Sequence, residues 1–355
     1  MFFYLVFFSI IFILAFFVKN KWSDGLIVVL LLFFSMFRGM NVGIDTAHYL
    51  ADFSQRELDL SSFSVYSSEF IFIGFERLCI ALNLSTQYVI YFFSIITFYF
   101  LVKSSQRFNV SVSLVCLFYV LFDYYTLSLN IARQFAAASI LLYAYSYLQY
   151  IDRRRFCFFL FVILASGFHI VSFVFIVLYF VRYINITPNN KWFFVVFCFA
   201  FYIFCFIWVN KLMQPIINLL SIYNQYSDYL SQTEEMQVTS STILFNTCIF
   251  LINIIVFVQL QKRGANKNLI NLFLVSILIY TLFINLYGNF GRIKYSIGII
   301  NVVCYAYFFD RNRFSRNKLV MITAIMIVYG YILIYGLSVN SYGQIPYYLN
   351  FSFLQ

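Results

Sequence analysis

The chain has 355 residues, 63% of them hydrophobic and only 10% charged, with 49 Phe and 30 Tyr. Soluble domains carry about 25% charged and about 45–50% apolar residues, so a water-soluble globule, a disordered chain and a disulfide scaffold are excluded. The formal charge of +10 is dispersed singly or in short loop clusters; a membrane protein needs no nucleic-acid partner to explain it, because Lys and Arg gather in its cytoplasmic loops.

Apolar runs of about 17 to 20 residues are the signature of membrane-crossing helices. In chain order the segments are 2–18, 22–37, 86–102, 111–128, 131–149, 154–166, 169–183, 191–209, 243–261, 268–286, 293–309 and 318–338. They predict an all-α polytopic membrane protein of about 12 crossings (range 10–13), organised as a single membrane domain over residues 1–355. The first run lacks a basic leader and an A-x-A cleavage site, and reads as a retained helix rather than a signal peptide. Residues 68–82 are apolar but carry Glu69, Glu76 and Arg77. At about 1.5 Å per residue they reach ~22 Å, short of a ~30 Å hydrocarbon core, which predicts an interfacial or re-entrant helix. The pieces 154–166 and 169–183 are also short. They form either a tight hairpin through Gly167 or one tilted span with His169 buried.

With twelve crossings the charges segregate. One side takes sixteen Lys and Arg against three acids, and the other seven against ten. The basic side is cytoplasmic by the positive-inside rule. Both termini and the two long loops, about 38–85 and 210–242, then face outward. The seven cysteines sit singly in apolar stretches and read as packing hydrophobes. There is no P-loop, HExxH, GxSxG or GxGxxG, and two histidines are too few for a His-rich metal site, so neither cofactor nor metal is expected.

Ionisable groups inside or at the edge of membrane helices are costly and mark function. The outward edge collects Arg38, Asp45, His48, Glu69, Arg77, Arg133, His169, Arg292 and Lys294. This is a basic, partly desolvated pocket, and arginine forks recognise phosphate bidentately, so a lipid phosphate or diphosphate is its natural guest. In residues 37–49, FRGMNVGIDTAHY, Arg38 ends one helix and Asp45 opens another, where it is either a structural cap or a catalytic or Arg-positioning group. In residues 130–139, NIARQFAAAS, Arg133 lies one turn inside a helix beside Gln134, and the small residues after it permit close packing. In residues 166–172, SGFHIVS, His169 sits just below the outer surface, where a neutral imidazole suits proton abstraction from a hydroxyl. In residues 289–295, NFGRIKY, Arg292 and Lys294 oppose the dipole of a helix start, an arrangement that invites an anion. Tyr223, Tyr226 and Tyr229, with Glu234 and Glu235, form a weaker sugar-stacking signal in the second long loop.

Arg38, Val42-Gly43-Ile44-Asp45-Thr46 and Tyr49 together resemble the R…VGxDTxxY signature of the EpsG-like family of polysaccharide polymerases, which includes many Wzy-type O-antigen polymerases. Glu69 with Gly74-Phe75, though more widely spaced than usual, resembles its acidic GF element. Arg133-Gln134-x-Ala-x-Ala-Ser, Phe168-His169-x-x-Ser172, the late Arg292 and a closing Ile345-Pro346-Tyr347 follow in family order. The resemblance runs from about residue 20 to 348. It implies a GT-C-like membrane glycosyltransferase that polymerises oligosaccharide repeat units carried on undecaprenyl diphosphate. The growing glycan would pass to the non-reducing end of a new lipid-linked unit, at the outer, periplasmic face of the bacterial inner membrane. The reaction implied is inverting and metal-independent, and a chain-length regulator protein is the implied partner.

On this reading Arg133 and Arg292 clamp the diphosphate with Arg38 as a third cation. His169 is the base with Asp45 as its substitute, and Lys294, Gln134, Tyr49, Glu69 and Arg77 contact substrate. Two other classes fit a basic outward pocket: a flippase or exporter of the same lipid-linked sugars, and a ligase passing O-antigen to lipid A-core.

Overall fold

In the computed structural model, residues 1–18, 20–58, 69–150, 153–187, 190–221, 240–283, 288–310, 316–340 and 343–350 are described. Among them the chain is all-α; its only β pairing is an isolated antiparallel bridge between Arg38 and Leu349. The chain is a helical membrane protein, and it folds as two compact units, residues 1–176 with 305–355 and residues 177–304.

The first unit begins with α1 (Phe2–Ile13), which runs on as a π-helical turn over Leu14–Val18. Next comes α2 (Lys21–Met36), started by a capping box: the Asn20 side chain accepts from the Ser23 N–H at 2.7 Å, and Ser23 Oγ accepts from the Asn20 N–H at 3.1 Å. Two helices then occupy the first long loop, α3 (Ile44–Leu58) and α4 (Phe70–Ala81). The twelve-residue α4 agrees in extent with the short helix expected over 68–82. α5 (Gln87–Phe108) ends at Asn109 in the left-handed region. α6 (Val112–Leu121) and α7 (Tyr124–Asn130) follow, with Asp123 between them at φ 63° and a bend of 69°. α8 (Ala132–Tyr147) packs between α5 and α9 (Cys157–Phe168). Its buried Ala136, Ala137, Ala138 and Ser139 let those neighbours approach closely. A 3₁₀ segment, Ile170–Tyr183, succeeds α9.

The second unit holds α10 (Lys191–Ser221), α11 (Ser240–Lys262), α12 (Lys267–Leu282) and α13 (Gly288–Gly298). Within it the Asn271 amide donates to the carbonyls of Val181 and Ile184, both at 2.9 Å, and so closes the end of the 3₁₀ segment. The chain re-enters the first unit in α14 (Ile300–Asp310), followed by α15 (Arg316–Ser338). All seven cysteines are free thiols.

Among the described residues, four helical stretches are long and apolar enough to cross a membrane: Gln87–Phe108, Lys191–Trp208, Ile243–Lys262 and Val320–Ser338. The bent α6–α7 pair makes a fifth if counted as one span. This is fewer than the twelve apolar runs because several runs are interrupted. The run 111–128 is broken at Asp123, the run 293–309 changes helix at Ile299, and 154–183 is broken by an extended His169. Phe2–Val18, Ile170–Tyr183 and Lys267–Leu282 are apolar but short. In the other direction, α10 continues through Ser221, past the expected start of the second long loop at about residue 210.

A closing segment, residues 343–350, ties the first unit together. Gly39 N–H donates to the Tyr348 carbonyl at 2.7 Å, Asn350 N–H to the Phe37 carbonyl at 2.8 Å, and Gly43 N–H to the Gly343 carbonyl at 2.9 Å. The Gln344 amide donates to the Thr126 carbonyl at 2.9 Å, and the Tyr347 ring stacks on Phe3 at 4.5 Å. Gly43, at φ 94°, passes so near the end of α7 that a Cβ there would collide with the Leu129 carbonyl oxygen.

Candidate functional site

The C-terminal end of α9 and the N-terminal end of α4 meet at Gly167. A Cβ at that position would lie 2.6 Å from Ile71 Cδ1 and 2.8 Å from Phe70 Cζ, so the absence of a side chain sets the helix separation. This contact places two residues just outside their helices side by side: Glu69, the N-cap of α4, and His169, the C-cap of α9 in an extended conformation. Arg133, near the start of α8, approaches from a third element.

The three side chains form one connected group. Arg133 Nη1 donates to Glu69 Oε2 at 2.7 Å, and His169 Nδ1 lies 2.9 Å from Glu69 Oε1. Ile170 N–H also donates to Oε1, at 3.4 Å. A carboxylate accepts on both oxygens, so this contact suits a proton on Nδ1 of the imidazole. The Arg133 guanidinium lies over the rings of Phe72 (4.7 Å) and Tyr49 (5.1 Å), which hold it by cation–π contact. Exposure rises along the group: 4% for the Glu69 side chain, 11% for Arg133 and 25% for His169. His169 is thus the most exposed member of the group.

Other residues singled out in the sequence lie elsewhere. Asp45 opens α3, half-buried, and its N–H donates to Asn130 Oδ1 at 2.8 Å, docking the motif on the end of α7. Thr46 Oγ1 donates to the Val42 carbonyl at 2.9 Å. His48 and Arg77 are exposed on α3 and α4, and Gln134 is buried in α8 beside Arg133. Arg38 is buried at the end of α2, where Nη1 donates to the Ser35 carbonyl at 2.7 Å. Its charge sits among the phenols of Tyr4, Tyr49, Tyr125 and Tyr347. Arg292 and Lys294 belong to the second unit; both are half-buried on α13, and Lys294 Nζ lies 5.6 Å from the Tyr280 ring and 5.5 Å from the Tyr295 ring. Tyr223, Tyr226, Tyr229, Glu234 and Glu235 fall outside the described residues. The Phe72 platform beneath Arg133 and the Asn130 acceptor have no distinguishing mark in the sequence. Among the described residues no three His, Cys, Asp or Glu side chains gather closely enough to share a metal ion.

The family model that matches the chain is that of the EpsG family, over residues 21–349. The chain belongs to the EpsG family. The matched span contains Glu69, Arg133 and His169 as well as the closing segment through Leu349. No curated protein and no solved structure matches the chain. Membership in the EpsG family suggests a polysaccharide polymerase-type function, the family being generally of glycosyltransferase-like type.

Proposed function

We propose that this EpsG-family chain extends a polysaccharide by moving a glycan from a polyprenyl diphosphate, undecaprenyl diphosphate in bacteria, on to a hydroxyl of a lipid-linked acceptor, with His169 as general base. The supporting observation is the partly exposed imidazole whose Nδ1 faces Glu69 at 2.9 Å, leaving Nε2 directed to other partners. The acceptor hydroxyl gives its proton to His169 Nε2 while its oxygen bonds to the anomeric carbon. The bond from that carbon to the diphosphate oxygen breaks, and the diphosphate leaves with the electron pair. One displacement inverts the anomeric centre, and no step requires a metal ion. A positioned base contributes about 10²–10⁴-fold to such a reaction.

The leaving diphosphate develops negative charge and calls for fixed cations. The remaining elements of the reading are about twelve crossings of GT-C type, the short and broken apolar helices counting as partial or tilted ones, and a catalytic group on the periplasmic face of the inner membrane. A chain-length regulator is the expected partner. Purified protein given a lipid-diphosphate-linked repeat unit, without nucleotide or added metal, tests the proposal. A ladder of longer glycans, absent with His169→Ala, supports it. Movement of the substrate across liposomes with no ladder makes the chain an exporter, and a ladder undiminished by His169→Ala removes the base assignment.

A further inference from the structure

Arg133 and Glu69 are the two members of the group that an incoming sugar reaches least, with side chains 11% and 4% exposed. We propose that Arg133 is a positioning residue acting through Glu69. By occupying Oε2 it commits the other carboxylate oxygen to Nδ1 of His169, and so holds the imidazole in the tautomer whose Nε2 can accept a proton. The inference rests on the reading of His169 as the proton acceptor. It gives Arg133 a duty other than gripping phosphate.

The argument is one of donors and acceptors. A guanidinium has only N–H donors and keeps its charge throughout the accessible pH range, so whatever stands opposite Nη1 has to be an acceptor. The Phe72 and Tyr49 rings flank the guanidinium, at 4.7 and 5.1 Å, and hold it at that place. A carboxylate satisfies Arg133 and the His169 side at once, because both of its oxygens accept. Second partners of this kind commonly fix the orientation and tautomer of a working histidine.

An amide cannot satisfy both sides. In a Glu69→Gln variant, the permanent charge of Arg133 claims the single amide oxygen, because the opposite orientation sets an NH₂ against a buried guanidinium. The NH₂ then faces Nδ1, which has to be unprotonated to receive it. The ring proton moves to Nε2, and the nitrogen that should take up the hydroxyl proton is already occupied. A change that conserves shape thus inverts the tautomer. Removing the demand at Arg133 frees the amide to turn, presenting oxygen to Nδ1–H and to the Ile170 N–H, which lies 3.4 Å from Oε1 in the wild type. Adding Arg133→Met to Glu69→Gln therefore restores the original tautomer, whereas Arg133→Lys, which keeps a charged donor, does not.

The chain has two histidines, so the test is direct. Full-length protein labelled with ¹⁵N-histidine is placed in lipid nanodiscs at a pH where imidazole is neutral, and the ring nitrogens are read by NMR. His48→Gln identifies the His169 signals. The expected pattern is a protonated Nδ1 in wild type, a protonated Nε2 in Glu69→Gln, and a return to Nδ1–H in Glu69→Gln with Arg133→Met. Polymerisation by Glu69→Gln falls roughly 10–100-fold. A wild-type proton on Nε2, an unchanged tautomer in Glu69→Gln, or a double variant that matches Glu69→Gln each overturns the proposal. The wild-type signal decides alone if a variant does not fold. If the tautomers behave as expected while His169→Ala polymerises at the wild-type rate, the positioning role stands and the reading of His169 as base falls.

Discussion

Arg133 and Arg38 are both withdrawn from solvent in the first unit, and both neighbour Tyr49. Their surroundings differ in one respect. Arg133 has a carboxylate 2.7 Å away that continues to a partly exposed imidazole. Arg38 has a backbone carbonyl from its own helix, a ring of phenols and the closing segment, which pairs with the residues on either side of it. A buried guanidinium is therefore not evidence of a phosphate site by itself. What distinguishes Arg133 is that its partner passes the constraint on to a group that a substrate can touch, whereas the constraint at Arg38 ends in the fold.

The largest effect that tests this contrast is at His169. His169→Ala should lower chain extension by about 10²–10⁴-fold with little loss of thermal stability, since the side chain is a quarter exposed. A variant that loses both together would make His169 a packing residue. Glu69→Ala should follow, and should cost stability as well. Removing one partner of a largely buried ion pair costs about 3–5 kcal/mol, to be read as a fall in melting temperature. An unaffected melt would mean that Arg133 has another anchor of equal strength. Gly167→Ala comes third. Its Cβ would press on Ile71 and Phe70 and push α4 from α9, with overpacking of about 1–3 kcal/mol and a roughly tenfold slower reaction as Glu69 withdraws from Nδ1, an estimate in line with losses on disturbing such partners. Full activity in this variant would show that the helix contact does not set the site.

How much of this the sequence reveals depends on the kind of signal. Arg133, His169 and Gly167 are legible, because a charge, a histidine or a glycine that interrupts an apolar run is costly there and so marks a function or a close packing contact. Glu69 is legible as one of the ionisable groups at the outward edge, but its pairing is not, since its partners are 64 and 100 residues away. Phe72 is one of 49 phenylalanines, and nothing local marks the one beneath a guanidinium. The break at Asp123 hides in an apolar run because one residue in a left-handed conformation is enough to bend the helix by 69°. The continuation of α10 through Ser221 is masked by polar residues at 210 and 211, which suggest a loop although the backbone stays helical. The placing of Arg292 and Lys294 in a unit separate from Glu69, Arg133 and His169 follows from long-range packing, which periodicity does not encode.

The smallest expected effect sharpens the comparison most. Among the described residues, Arg38 Nε and Nη2 meet no acceptor, and the one bond the guanidinium makes is to the Ser35 carbonyl. Arg38→Met keeps the aliphatic volume, removes a charge held away from water, and forfeits one hydrogen bond of about 1 kcal/mol. Replacing a buried charge by an apolar group of similar volume is often neutral or stabilising. The melting temperature of Arg38→Met should therefore stay near the wild-type value, and glycan extension should persist, in contrast to Glu69→Ala. Loss of activity in a variant that melts normally would transfer Arg38 from the fold to the reaction. It would also mean that the closing segment uncovers this arginine during turnover, because no substrate reaches it while residues 348–350 remain paired with Phe37 and Gly39.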